Sequence, residues 1–213
     1  MKRLLLIIIL TLSFQTWTKA DDIKDFEIEG MSIDDSLLDF FSEKEIKLLI
    51  NSSNTFFYKN KTYASITTHA NFKMYGEGTK DDPYADTKDN YEYVGAVIKL
   101  SDKKYKIYEI SAYMNYPDDF EECNNKKNEI VSNISSIFKN AKMTSETSPH
   151  HYDPSGESIS SDTWFYLENG SSSVHCENWS KKLEEEYGWG DKLKVRLTSE
   201  EFMNFLFNVQ YKE

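Results

Sequence analysis

Apolar residues along the chain recur at two spacings, and each spacing predicts a different kind of element. Intervals of three to four residues predict helices at residues 32–41, 42–50, 118–139 and after Thr198. Alternating apolar positions, rich in aromatic and β-branched side chains, predict strands at residues 55–59, 62–70, 91–100, 104–114, 162–168, 171–177 and 191–198. Runs of strands between helices favour an antiparallel α+β fold. We therefore predict a helix pair, an antiparallel sheet, a long central helix, a second smaller antiparallel sheet and a C-terminal helix.

Capping and turn residues locate several of the predicted helix and strand ends more closely. A Ser or Thr followed three residues later by an acidic residue is typical of a helix start, and three such pairs are Ser32 with Asp35, Ser42 with Glu45 and Thr198 with Glu201. Asn169-Gly170 is a strong two-residue hairpin turn. Residues 75–90 and 144–161 are rich in polar and turn-forming residues, so both are predicted to be loops, and a helical turn is predicted at residues 181–187.

The first twenty residues have the three-part pattern of a secretory signal peptide. Lys2 and Arg3 precede an apolar run from Leu4 to Leu12, and a polar stretch then ends at Ala20, where we predict cleavage. The run is shorter than the roughly 20 residues that a membrane-spanning helix needs. We therefore expect an exported, periplasmic or secreted protein without stable membrane insertion after cleavage. Residues 21–213 form one α+β unit or two subdomains, 21–116 and 117–213.

The charge of the chain excludes one class of partner. The 213 residues include 25 Lys and Arg against 36 Asp and Glu, a formal net charge of −11. Removal of residues 1–20 takes away three basic side chains and no acidic one, which leaves 22 against 36 and a net charge of −14. Such a chain is repelled by nucleic acid and by anionic membrane surfaces. The expected partner is a protein or a small ligand.

Two cysteines remain after the predicted cleavage site, Cys123 and Cys176. Export to an oxidising compartment favours a disulfide between them, and two separately buried thiols are the alternative. The bridge would close a loop of about 54 residues, for which the chain-entropy model gives roughly 4 kcal/mol. A cysteine held in a disulfide is not available as a nucleophile.

Three stretches together resemble a family of exported proteins, found in small-genome marine bacteria, to which no activity is assigned. They are residues 22–39, the His150-x-x-Asp153-x-x-Gly156 loop and the Val174-His-Cys-Glu-Asn-Trp-Ser180 stretch. Gly30-Met31-Ser32 before a helix pair and an antiparallel sheet is similar, more weakly, to the small lipoprotein of the outer-membrane barrel-assembly machinery. The β-lactamase inhibitor protein carries a similar helix-pair-plus-sheet module in tandem. Those proteins act by binding other proteins, which the resemblance implies here.

Four side chains have the chemistry of a metal or acid–base site. His150, His151 and Asp153 share one loop, and His175 stands beside Cys176. Imidazole and carboxylate groups bind Zn²⁺ and similar ions, and they also supply general acids and bases. The alternative is an ordinary surface turn at residues 153–156. We predict no catalytic residue and no cofactor. These four side chains are the candidate metal ligands.

Two further groups of residues admit both a functional and an ordinary interpretation. Four aspartates within residues 81–89 would offer oxygen ligands to Ca²⁺, although their spacing is not that of an EF-hand and a solvated acidic loop explains them. Tryptophans at 164, 179 and 189 would line a sugar or peptide cleft, or else fill the core.

These observations favour a non-enzymatic exported binding or interaction protein. The alternative is a metal-dependent or His/Asp-based hydrolase that uses loop 150–153. The hydrolase requires His150, His151, Asp153 and His175 to converge in a concave pocket. The binding protein requires a patch of exposed aromatic side chains or an open sheet face.

Overall fold

One sheet of eight antiparallel strands is the frame of the computed structural model, which describes residues 22–69 and 91–212. The helices and strands, in chain order, are α1 (Glu43–Ile50), β1 (Phe56–Phe57), β2 (Tyr63–His69), β3 (Tyr93–Lys99), β4 (Ile107–Asn115), α2 (Phe120–Ile137), β5 (Lys142–Pro149), β6 (Ile159–Leu167), β7 (Gly170–Asn178), α3 (Lys181–Tyr187), β8 (Lys192–Ser199) and α4 (Glu200–Phe205). Short 3₁₀ turns occupy Ile23–Asp25, Leu37–Asp39 and Lys59–Lys61, and a π-helical turn over Leu206–Gln210 continues α4.

The strand order β1-β2-β3-β4-β8-β7-β6-β5 divides the chain into two similar halves. Each half is a helix followed by four strands, α1 with β1–β4 and α2 with β5–β8, and in the second half the short helix α3 lies between β7 and β8. β4 and β8 join the halves, pairing from Glu109 opposite Thr198 to Asn115 opposite Lys192. The predicted antiparallel α+β class is confirmed. The prediction of a second, separate sheet is wrong, because this central pairing makes the sheet continuous.

The main core lies between one face of the sheet and the helices α1 and α2. Side chains alternate between the two faces of a strand, so every second residue of β4, β7 and β8 points into this core. Its most deeply buried members include Ile46, Ile110, Ile134, Val174, Cys176, Leu193, Val195 and Leu197. The residues between them face the opposite side, which therefore has a different character.

The helix predicted at residues 32–41 is not formed, apart from the 3₁₀ turn at Leu37–Asp39. Ile33 and Leu37 are buried, as their spacing suggested. However, the backbone of this segment bonds to the approach of β4, with Asp34 N donating to Ile107 O and Leu37 N donating to Tyr105 O. The tertiary partner therefore takes the hydrogen bonds that a helix would have made within itself.

Strand β5 lies where a loop was predicted. Its sequence, Lys142–Pro149, has no apolar alternation, and almost all of its side chains are exposed. It is an edge strand whose backbone pairs with β6 from Lys142 opposite Tyr166 to Pro149 opposite Ile159. Since its stability comes from backbone pairing and not from burial, its side chains leave no hydrophobic pattern to detect.

Most other local predictions are confirmed. Ser42 and Glu45 form the expected capping box of α1, and α3 covers the predicted residues 181–187. The hairpin of β6 and β7 forms, but its two turn residues are Glu168 and Asn169, one position before the predicted turn, because Leu167 pairs with Gly170. The cap of α4 is shifted by one residue, because Ser199 Oγ accepts from Phe202 N while Thr198 donates to Glu109. Within the described ranges, no helix is both long and apolar enough to cross a membrane. The predicted signal peptide and the acidic loop 75–90 lie outside those ranges.

A disulfide ties the long helix to the centre of the sheet, as the sequence predicted. The sulfur atoms of Cys123 in α2 and Cys176 in β7 are 2.06 Å apart, and their Cα atoms are 6.0 Å apart. Both residues are buried in the core. The pair is compatible with an extracellular or other oxidising location.

We expect the loss of this disulfide to lower the free energy of unfolding by about 4 kcal/mol, because the bond joins residues that are 53 positions apart and so restricts the unfolded chain. Urea unfolding of the wild type and of Cys123→Ala/Cys176→Ala measures the difference. Reductant should bring the wild type close to the double variant and leave the double variant unchanged. Equal urea midpoints for the two proteins would show that the bridge contributes little.

Candidate functional site

The face of the sheet opposite α1 and α2, which we call the open face, carries polar and aromatic side chains in rows that cross the strands. At one end α4 covers it, and Phe202 packs there on Tyr63 and Tyr108. The residues of the open face used below are Gly95 on β3, Glu109, Ser111 and Tyr113 on β4, Lys192, Lys194, Arg196 and Thr198 on β8, Ser173, His175 and Glu177 on β7, and Asp162, Trp164 and Tyr166 on β6.

Three basic side chains stand in line on β8: Lys192, Lys194 and Arg196, which we call the basic column. Their spacing of two residues puts all three on the open face, because successive side chains of a strand point to opposite faces. Lys192 pairs with Glu177 at 3.4 Å, and Lys194 lies over the ring of Tyr113 at 5.0 Å. The column runs along a central strand of a chain whose net charge is strongly negative.

The charge of Arg196 is paired with that of Glu109, but the Nε–H of Arg196 makes no hydrogen bond within the described residues. Its Nε lies 3.6 Å from Glu109 Oε1, which is an ion-pair distance and too long for a hydrogen bond. The other oxygen of Glu109 accepts from Thr198 Oγ1 at 3.0 Å. The Nε–H of Arg196 is buried and has no hydrogen-bond partner in the described part of the chain. A buried donor without a partner carries a desolvation cost.

The pKa of Tyr113 is lowered by neighbouring cationic side chains of the open face. Its hydroxyl lies 3.1 Å from Ser111 Oγ. Burial alone would raise the pKa of Tyr113, but the nearby Lys194 ammonium, the Ser111 hydrogen bond and Arg196 outweigh burial, so the pKa is lowered. A phenol in such surroundings is a stronger hydrogen-bond donor than an ordinary tyrosine.

A chain of hydrogen bonds links Asp162, His175 and Ser173. His175 Nδ1 lies 2.9 Å from Asp162 Oδ1, and His175 Nε2 lies 2.7 Å from Ser173 Oγ. Burial lowers the pKa of His175 more than the Asp162 hydrogen bond raises it, while hydrogen bonds from His175 and Ser160 lower the pKa of Asp162 despite its burial. At neutral pH, Nδ1–H therefore donates to Asp162, and Nε2 accepts from the Ser173 hydroxyl.

These bonds follow the order found in serine hydrolases, in which a carboxylate orients a histidine and the histidine activates a serine. However, Ser173 is only 1% exposed, so its hydroxyl is enclosed in this conformation. Sequence reasoning named His175 but missed Asp162 and Ser173. The predicted turn did not supply this signal, because a two-residue turn at Asn169-Gly170 would put Asp162 opposite Glu177. The chain turns one residue earlier, at Glu168-Asn169. Leu167 therefore pairs with Gly170, and Asp162 stands opposite His175.

The four predicted metal candidates do not converge on one point, although the rings of His150 and His151 stack with their centroids 4.9 Å apart. Asp153 uses both carboxylate oxygens within its own turn, where they accept from the backbone and hydroxyl groups of Ser155 and Ser158. These bonds hold its pKa well below the usual range. His150 packs on Trp179, and His175 lies on the open face. Within residues 22–69 and 91–212, no group of three or more His, Cys, Asp or Glu residues is arranged to hold a metal ion.

The loop that holds His150 contributes to an aromatic cluster beside the sheet. Trp189 is in ring contact with Trp179 at 4.5 Å, Tyr187 at 5.0 Å and Tyr152 at 6.5 Å. Tyr152 is 62% exposed and Tyr187 is 56% exposed. We call these four side chains with His150 the aromatic cluster. Its Trp179 is buried, whereas Trp164 lies apart on the open face, so the three predicted tryptophans do not share one cleft.

The aromatic cluster adjoins the basic column. Burial lowers the pKa of His150, and Glu177 and Lys192 of the open face act on it electrostatically in opposite directions. These two groups form the first row of the open face, since Glu177 stands opposite Lys192. The cluster therefore lies near the Lys192 end of the column, which the sequence did not predict.

Comparison of the chain with known protein families, curated proteins and solved structures finds no match. The two resemblances noted from sequence therefore stay predictions. The function is inferred below from the open face and the side chains that it presents.

We expect the fold to lose stability as the pH falls below about 6.5, the ordinary pKa of histidine. Because the pKa of buried His175 is lowered, the unfolded chain binds more protons in the window just below that value, and stability there rises with pH. His175→Gln should reduce this slope, by at most about 1.4 kcal/mol per pH unit. Part of the slope should remain in this variant, because the pKa of His150 is also lowered and His150 contributes to the same pH dependence.

Urea unfolding at pH 5, 6 and 7 measures the effect. Asp162 gives a dependence of the same sign in a lower window, because its lowered pKa contributes stability that is present above about pH 3.9 and is lost as the pH falls further. An unchanged slope in His175→Gln would show that His175 is not the group responsible.

Proposed function

We propose that the chain is an exported binding protein that holds an acidic segment of another protein on its open face. The observation that carries this proposal is the basic column, Lys192, Lys194 and Arg196, on a central strand of a strongly acidic chain. Two of these cations are paired, Lys192 with Glu177 and Arg196 with Glu109. The charge that remains on the column, above all that of Lys194, would attract a complementary acidic partner.

The aromatic cluster supports a protein partner. Tyrosine, tryptophan and arginine are the residue types that dominate binding energy at protein interfaces, because they bury a large area with little loss of conformational freedom. Tyr152 and Tyr187 expose most of their rings beside the basic column. The partner would gain apolar contact on the aromatic cluster and charge contact on the column.

The sheet also favours binding because it fixes the positions of these side chains in advance. Lys194 lies between Leu193 and Val195, which are both fully buried in the core. A rigid central strand lowers the entropy cost of ordering side chains on binding. Most of the binding free energy would then be retained as affinity.

Export is consistent with the same proposal. The predicted signal peptide and the disulfide between Cys123 and Cys176 are compatible with an oxidising compartment. The doubled order of one helix and four strands is compatible with the weaker resemblance to tandem helix-plus-sheet modules, whose known members act by binding other proteins.

We expect the protein to bind poly-L-glutamate and not poly-L-lysine, because the basic column attracts the acidic polymer. Lys194→Glu should weaken binding at least about tenfold, since it places like charge at the middle of the column. Lys139→Glu makes the same change in net charge just beyond α2, on the opposite side of the sheet, and should leave the affinity nearly unchanged. Titration calorimetry at two salt concentrations measures both.

Two results would contradict the proposal. Equal loss of affinity in Lys194→Glu and Lys139→Glu would mean that only the total charge matters. Absence of polyglutamate binding by the wild type at low salt would remove the electrostatic argument itself.

The Ser173–His175–Asp162 chain favours a second candidate, a serine hydrolase. A fluorophosphonate probe reacts covalently with activated serines and tests this directly. Because Ser173 is enclosed, we expect no labelling of the wild type. Labelling that disappears in Ser173→Ala and in His175→Gln, but persists in Ser171→Ala, would establish the hydrolase in place of the binding protein.

A further inference from the structure

Strand β5 presents a long, unpaired edge of the sheet. It is the last strand in the order, and within residues 22–69 and 91–212 no strand pairs with its outer side. The strand at the opposite edge, β1, has only two residues, whereas β5 has eight and pairs with β6 without a shift of register. A long, regular edge of this kind offers free backbone hydrogen-bonding groups to another strand.

The direction of each backbone group in β5 follows from a hydrogen bond just beyond the strand. His150 N donates to Ser158 O at 2.8 Å, which continues the ladder between β5 and β6. Because N–H directions alternate along an antiparallel strand, even-numbered residues of β5 bond to β6 and odd-numbered residues point outward. Ser145 Oγ lies 2.9 Å from Thr163 Oγ1, which agrees, since opposed residues without ladder bonds stand closer together. Pro149, which has no N–H, occupies an outward position, where proline is tolerated.

The outward donors of β5 are therefore the N–H groups of Met143, Ser145 and Thr147, and all three residues are exposed. They are spaced evenly about Ser145, so the edge is complementary to itself in the antiparallel direction. When Ser145 of one copy lies opposite Ser145 of a second copy, Met143 lies opposite Thr147. All the outward donors and acceptors of these residues then find partners, and Pro149 falls just outside the paired segment.

We propose that two copies of the chain associate through β5 into a dimer, with a two-fold axis that passes between the two Ser145 residues at right angles to the sheet. The contact is isologous, since each copy uses the same surface. Such an axis keeps both open faces on one side of the joined sheet and both α2 helices on the other. Dimer formation does not depend on the proposed function, but it would place two binding surfaces side by side.

The side chains of β5 are compatible with this pairing. No like charges stand directly opposite each other, and Lys142 of each copy is a diagonal neighbour of Glu146 in the other, within reach of so long a side chain. These two attractions outnumber the single diagonal repulsion between the two Glu146 side chains. Met143, which is 51% exposed in one copy, would be partly covered by the Thr147 opposite it.

We expect a weak, reversible dimer. A contact made mainly by one strand edge is small, and interfaces below about 1,200 Å² are typically weak and transient. The net negative charge of the chain also opposes association, although at about 0.15 M salt charges farther apart than about 8 Å are largely screened.

Sedimentation equilibrium of the wild type at that salt concentration, up to about 1 mM protein, tests the proposal. The average mass should rise with concentration from that of one chain towards that of two. A mass that stays at one chain throughout would overturn the proposal and leave the edge free for an extended segment of another protein.

A charge exchange at residue 145 tests the register. Ser145→Glu and Ser145→Lys each place like charges opposite each other at the two-fold axis, so each should weaken dimer formation severalfold. An equimolar mixture of the two variants brings opposite charges together and should restore association to at least the wild-type level. Fluorescent labelling of one variant makes the mixed dimer visible in sedimentation.

Exposed Ser132 on α2 provides the matched control. Ser132→Glu and Ser132→Lys make the same changes in net charge away from β5 and should leave the association constant nearly unchanged. Urea midpoints close to that of the wild type would show that the Ser145 variants are folded. Dimers of the single Ser145 variants as strong as those of the wild type, or no gain on mixing them, would rule out pairing about Ser145.

Discussion

The antiparallel pairing of β4 with β8 is the interaction on which the rest of the structure depends. These strands come from different halves of the chain, and their backbone hydrogen bonds turn two four-stranded units into one sheet. The same pairing sets Tyr113 opposite Lys194 and Ser111 opposite Arg196. A shift of one residue would exchange the two faces of a strand, so the core and the open face are fixed together.

Alternation along the central strands couples stability to the proposed binding surface. On β8, Leu193, Val195 and Leu197 are buried among the helices, and the basic column occupies the positions between them. On β7, Cys176 anchors the sheet to α2, while its neighbour His175 bonds to Asp162 and Ser173 on the opposite face. The polar side chains are therefore held by a packed core, which limits their freedom before any ligand arrives.

The open face also shows how an acidic chain accommodates buried charge. Glu109 compensates Arg196, and Asp162 orients His175, so these groups have partners of complementary charge or hydrogen bonding. Burial of ionisable groups without such partners costs several kcal/mol. The buried Nε–H of Arg196, which has no hydrogen-bond partner among the described residues, is an exception to this pattern.

Local features of the chain were determined by the sequence alone. The cap at Ser42, the long helix α2, the hairpins and the α+β class follow from side-chain spacing and turn chemistry, which act between near neighbours. The position of Asp162 opposite His175 did not follow from the predicted Asn169-Gly170 turn, because the hairpin turns one residue earlier. Only the tertiary structure decided that residues 32–41 bond to the approach of β4, that polar β5 pairs with β6, and that β8 lies beside β4. Those outcomes depend on backbone hydrogen bonds between distant segments, which every residue type except proline can donate and which therefore leave little trace in the sequence.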